Sequence, residues 1–144
     1  MKKIDEKLVE VRNHEGNGYQ PMIDYDKWRV AILRYYDELR PENINKMQRH
    51  NETDEVFVLL GGRCILFIGE GNDTITSITG VDLEPQKIYN VKRGVWHSHT
   101  LSTDSSVLIV ENRDTTTQNS PKMPLNDDQR RQIVDITQKL WQEK

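Results

Sequence analysis

The chain has 144 residues, 20 basic and 23 acidic, for a formal net charge of −3, and a single cysteine. That length suits one domain with a genuine core and leaves little room for a second. The near balance of charge excludes the basic footprint of a nucleic-acid binder, the lone cysteine excludes an intramolecular disulfide, and no stretch approaches the roughly 18 apolar residues of a membrane helix.

The opening run, Met1 to Lys7, is charged rather than apolar, so it does not read as a signal peptide and the protein is expected to be cytoplasmic. His14, beside the glycine-rich Glu15-Gly16-Asn17-Gly18, reads as exposed. Trp28 to Tyr35 reads as a strand, because aromatic and β-branched residues dominate it and Arg40-Pro41-Glu42-Asn43 follows. One parity of that segment, which holds Arg34, Tyr35 and Tyr36, must face inward. Further strands are expected at 44–49, 55–60, 63–69, 74–83, 87–91, 95–101 and 105–111, separated by Gly61-Gly62, Gly69-Glu70-Gly71-Asn72, Gly80, Pro85, Gly94 and Ser102-Thr103-Asp104. Turn signals at such regular spacing predict a mainly β sandwich or barrel, with a core over about 20–113. Cys64 falls in an apolar strand and reads as a small buried hydrophobe. The segment 114–125 is polar and twice interrupted by proline, so it reads as an extended linker that only connects. Over about 126–142 the pattern turns helical: Asn126 and Gln129 form a capping box, and Ile133, Ile136, Leu140 and Trp141 recur at helical spacing.

Two segments concentrate chemistry. His97 and His99 lie two apart on a predicted strand, so their imidazoles share one face. Upstream, Arg49-His50-Asn51-Glu52-Thr53-Asp54-Glu55 gathers imidazole and carboxylate groups directly before the apolar run Val56 to Leu60. Glu55 enters a buried strand, where a carboxylate needs a cation, an imidazole or a metal to stay charged. Glu111 shares parity with Val107 and Ile109, so it either enters the pocket or marks a water-exposed edge. Arg49 would clamp an anion, with His50, Asn51, His99, Arg34 and Glu111 as further candidates for holding a ligand.

Residues 44–112 resemble the cupins, small jelly-roll barrels. Glu55 and Gly62 fit the end of the family's first motif, and Gly94 and His97 fit its second. Arg49 and Asn51 stand where the family has two metal-binding histidines, Lys92 replaces a proline and Leu101 an asparagine. Sliding the register by one brings His50 and Glu52 to the ligand positions and requires a bulge before Glu55. The resemblance therefore implies a single jelly-roll domain spanning 1–144 with a C-terminal α-helix. Any metal site would be a mixed set of His50, Glu55, His97 and His99, suited to Zn, Mn, Fe or Ni. Short stretches around Gly94 to Leu101 and Val95 to Val110 also resemble ureidoglycolate lyases and sugar-nucleotide ketoisomerases of the same fold.

Two readings of function stay open at this point. In one, a lyase or isomerase acts on a small polar acid or sugar derivative, with His97 and Glu55 as the catalytic pair. In the other, the pocket binds a small anion or metabolite without turnover. Family habit, the N-terminal region and an apolar helix stripe ending at Trp141 predict a homodimer.

Overall fold

Alternating apolar residues close this chain into a barrel, seen in a computed structural model that describes residues 2–142. Its elements run β1 (Gly18–Tyr25), β2 (Trp28–Arg34), β3 (Lys46–Gln48), β4 (Glu55–Gly61), β5 (Cys64–Glu70), β6 (Ser77–Asp82), β7 (Tyr89–Val91), β8 (Trp96–Leu101), β9 (Ser106–Asn112), β10 (Lys122–Pro124) and α1 (Asp127–Gln142). Two five-stranded antiparallel sheets, β1-β2-β9-β4-β7 and β10-β3-β8-β5-β6, face each other as a jelly roll. None of the described helices is long and apolar enough to cross a membrane.

The period of two decides what faces inward. On β4 the buried positions are Glu55, Phe57 and Leu59, and on β9 they are Val107, Ile109 and Glu111. Facing them are Cys64 and Leu66 of β5, with Leu101 of β8, in one apolar cluster. The other face of the second sheet is also dry, because α1 lies on it. Met47, Ile65, Phe67 and Trp96 pack there against Ile133, Ile136, Leu140 and Trp141. Each such fully buried large side chain contributes about 1.5–3 kcal/mol. Helix and sheet approach closely at Gly80, where an added Cβ would lie 2.3 Å from Ile136 Cγ2.

The helix begins as its sequence predicts. The Gln129 amide nitrogen donates to Asn126 Oδ1 at 2.8 Å, and the Asn126 amide nitrogen donates back to Gln129 Oε1 at 3.0 Å. Two expectations are corrected. β1 forms a full hairpin strand with β2 ahead of the first strand expected, turning at Asp26, whose φ is 49°. The expected linker contains β10, which pairs Lys122 with Gln48 and Pro124 with Lys46. Proline is tolerated there because it ends a short edge strand. The apolar stripe of α1 packs on this chain's own barrel, Trp141 included, with the Arg63 guanidinium 5.2 Å from its ring centroid.

Candidate active site

Three strand ends meet at one mouth of the barrel. β3 runs out into His50, β4 starts at Glu55, and His97 sits in β8 directly opposite Gln48. His50 and Glu55 are five apart, an odd spacing that would put them on opposite faces of a continuous strand. The chain instead leaves regular structure over 51–54 while crossing from one sheet to the other, which resets the face. The expected bulge is thus a crossing loop, and Glu52 turns outward, where its Oε2 accepts from Asn119 at 2.8 Å.

The centre of the site is Glu55 Oε1, which lies 2.9 Å from His50 Nε2 and 2.9 Å from His97 Nε2. All three residues are buried. His97 Nδ1 is 3.0 Å from the Val95 carbonyl oxygen, which can only accept, so Nδ1 carries a proton. With that proton assigned, Nε2 of a neutral His97 would present a lone pair to a carboxylate oxygen. The 2.9 Å approach therefore needs a proton or a metal ion shared by the two groups. His50 is freer in tautomer, because its Nδ1 is 2.7 Å from Ser120 Oγ, a hydroxyl that can donate or accept.

The donor set fits a metal. The ligand atoms of His50, Glu55 and His97 all lie within 4.8 Å of one another, and a histidine whose second nitrogen is anchored on a backbone carbonyl is the usual arrangement around a metal. The group can hold a metal ion; His99, expected as a fourth donor, stands outside it. His99 does share the inward face with His97 and packs near Phe57, ring centroids 5.8 Å apart. Its Nδ1 is sealed from water without a partner, and burial pushes its pKa down to about 4, so it is neutral.

The carboxyl groups are driven apart. Burial works against the charge of Glu55, but the hydrogen bonds and charges of His50 and His97 prevail and hold it below the usual carboxylate range. Burial also opposes charge on His50, and the bond to Glu55 prevails there too, raising its pKa. Glu111, 7% exposed, is pushed up to about 7, first by burial and then by the charge of Glu55. Tyr19 from β1 donates its hydroxyl to Glu111 Oε2. A cavity of about 320 Å³ is lined by His50, Glu55, Glu111, Tyr19, His99 and Ser120, among others. A second, of about 600 Å³, lies beside His97 and His99 and shares Tyr36, Gln48, His99 and Lys122 with the first.

The site thus unites His50, Glu55, His97, His99 and Glu111. It does not include the other three candidates. Arg49 shares the outward parity of Met47; its guanidinium stacks 4.4 Å from the Trp96 ring and donates to Asn72 Oδ1 at 3.0 Å. Asn51 is exposed and bonds through its backbone to Asn119. Arg34 points away because Ala31 and Leu33 take the inward parity of β2, and it donates instead to the His14 carbonyl at 2.9 Å. His14 is half-buried rather than exposed. Sequence reading missed Tyr19 and Ser120, each on a segment not recognised as part of the barrel wall. The spacing of Ser120 and Lys122, two apart across Pro121, was the available signal.

No family model and no curated protein sequence matches the chain. Its structure is similar to that of Pac13 from Streptomyces, solved with uridine, at 10% identity and a TM-score of 0.55 over 89% of this chain and 96% of that one. Pac13 is described as a nucleoside dehydratase. The capsular polysaccharide assembling protein CapF from Staphylococcus aureus matches at 15% identity and a TM-score of 0.55, over 85% of this chain and 34% of that one. A cupin-2 domain containing protein from Shewanella frigidimarina matches at 16% identity and a TM-score of 0.48, over 75% of this chain and 90% of that one. At such identities the likeness is one of fold.

Proposed function

We propose that this cupin-fold chain is an acid/base lyase or isomerase acting on a small hydroxylated ligand, a sugar or nucleoside derivative. One observation carries the reading: Glu55 and Glu111 line one cavity while their surroundings drive their proton affinities in opposite directions. A split of that kind separates an acid from a base within one site.

In the lyase direction the ionised carboxylate of Glu55, held by His50 and His97, accepts a proton from a substrate carbon. Glu111, protonated through about pH 7, donates to the departing hydroxyl. One C–H and one C–O bond break, a C=C bond forms, and water leaves. Tyr19 orients the Glu111 carboxyl by holding Oε2. Ser120 fixes the ring of His50, and the Val95 carbonyl fixes that of His97. Lewis acidity toward a substrate oxygen is what a divalent ion held by His50, Glu55 and His97 supplies when bound. The Pac13 likeness supports the substrate class without assigning it.

The test is incubation in D2O with nucleosides, aldoses, ketoses and small hydroxy acids, followed by NMR for deuterium incorporation or loss of water. One class should react, and Glu111→Gln should slow it by about 10²–10⁴-fold. A ligand that binds in the cavity yet neither exchanges nor eliminates would sink the catalytic reading in favour of storage or sensing.

A further inference from the structure

The larger cavity, of about 600 Å³, lies beside His97 and His99, and part of its wall is made by β3 and β10, the two shortest strands of the second sheet. Lys46 of β3 and Lys122 of β10 both line it. Lys122 lies opposite Gln48, and Pro124 opposite Lys46, so the two lysines are diagonal neighbours on one face of the pair. Like charges at about 7–8 Å repel. Neither lysine has an ion-pair partner among the described residues. Glu38 is the one acidic residue lining this cavity, so the lining carries an excess of positive charge. Lys122 also lines the smaller cavity that holds Glu55 and Glu111, which makes it the link between the two.

We infer that Lys46 and Lys122 form a subsite for a phosphate monoester, and that the ligand of this protein is phosphorylated at the end remote from Glu55. Two point charges match a dianion. A carboxylate would favour the planar fork of an arginine, and no arginine lines either cavity. The volume suits a ligand of sugar-phosphate or nucleotide size. This inference deepens the acid/base reading by naming the class of substrate, and it rests on that reading only for which end of the ligand reacts.

Inorganic phosphate is the probe and acetate the monoanionic control, titrated at pH 8 into the isotope-labelled full chain and followed by amide NMR. Saturable shifts centred on 46–48 and 122–124 are expected, with acetate binding at least tenfold more weakly. Lys46→Gln and Lys122→Gln should each weaken phosphate about tenfold, and Lys122→Arg should restore much of the loss. Glu55→Gln should leave phosphate affinity intact while removing turnover, so the subsite and the acid/base chemistry can fail separately. Equal affinity for phosphate and acetate, or shifts scattered away from β3 and β10 in the unmodified protein, would overturn the inference. The shift map does not depend on any variant folding.

Discussion

Glu55 stays charged in a dry site only because two imidazoles reach the same oxygen, and that dependence has measurable consequences. His97→Ala leaves a buried carboxylate with one partner and should cost about 3 kcal/mol in urea unfolding. A loss under about 0.5 kcal/mol would mean that Glu55 is solvated after all. The pH dependence follows from four groups of different sign, and His99, lowered from 6.5 to about 4, makes stability rise across that window. Glu55 is depressed, so its contribution is present above its ordinary 4.5 and is lost as pH falls. His50 is raised, so its contribution is full below 6.5 and is lost as pH rises through its folded value. Glu111 is a carboxyl raised from 4.5 to about 7, so the folded state keeps a proton that the unfolded chain gives up, and stability falls across that window. Glu111 and His99 offset each other up to about pH 6.5, so Tm should decline between about pH 6.5 and pH 8. Glu111→Gln, which keeps an acceptor for Tyr19, should flatten that decline; an unchanged slope would remove Glu111 from the titration.

At the level of elements, the segment after β9 does more than connect. Ser120→Ala removes the hydroxyl on His50 Nδ1 and should cost about 1 kcal/mol, together with a measurable change in the His50 titration by NMR. Stability loss with an unmoved His50 resonance would leave Ser120 a merely structural residue. Gly80→Ala should cost about 1–3 kcal/mol, because its methyl meets Ile136 across the sheet–helix seam. β4 and β9, which alternate cleanly, and β5 and β8, short apolar or aromatic runs bounded by turn signals, could be read from residue order alone, as could α1 from its capping box. β1 and β10 could not, because each contains a proline and little apolar periodicity, and pairing with β2 or β3 decides them. The site shows the same division. His97, His99 and Glu55 follow from parity within a strand. Counting back from Glu55 as though the strand were continuous places Arg49 in the pocket. The loop at 51–54 breaks that count, putting His50 inward and Arg49 against Trp96.

For the whole molecule, what remains uncovered bears on assembly. The N-terminal residues Ile4, Leu8, Val9 and Val11 are 50–75% exposed, and Tyr25 and Trp28 are exposed at the tip of the β1–β2 hairpin. β1 is also the outermost strand of its sheet, with one row of backbone groups unpaired by any described strand. An open edge beside apolar side chains is a surface that folded proteins usually cover. Because α1 is already seated on its own barrel, a second copy would meet the N-terminal side. We predict a homodimer that closes there about a two-fold axis. Sedimentation velocity at micromolar concentration should give twice the chain mass of 16.9 kDa, and removing residues 2–13 should yield a monomer with an unchanged β-rich circular dichroism spectrum. A monomer in the intact protein, or a dimer that survives the truncation, would place the covering surface elsewhere.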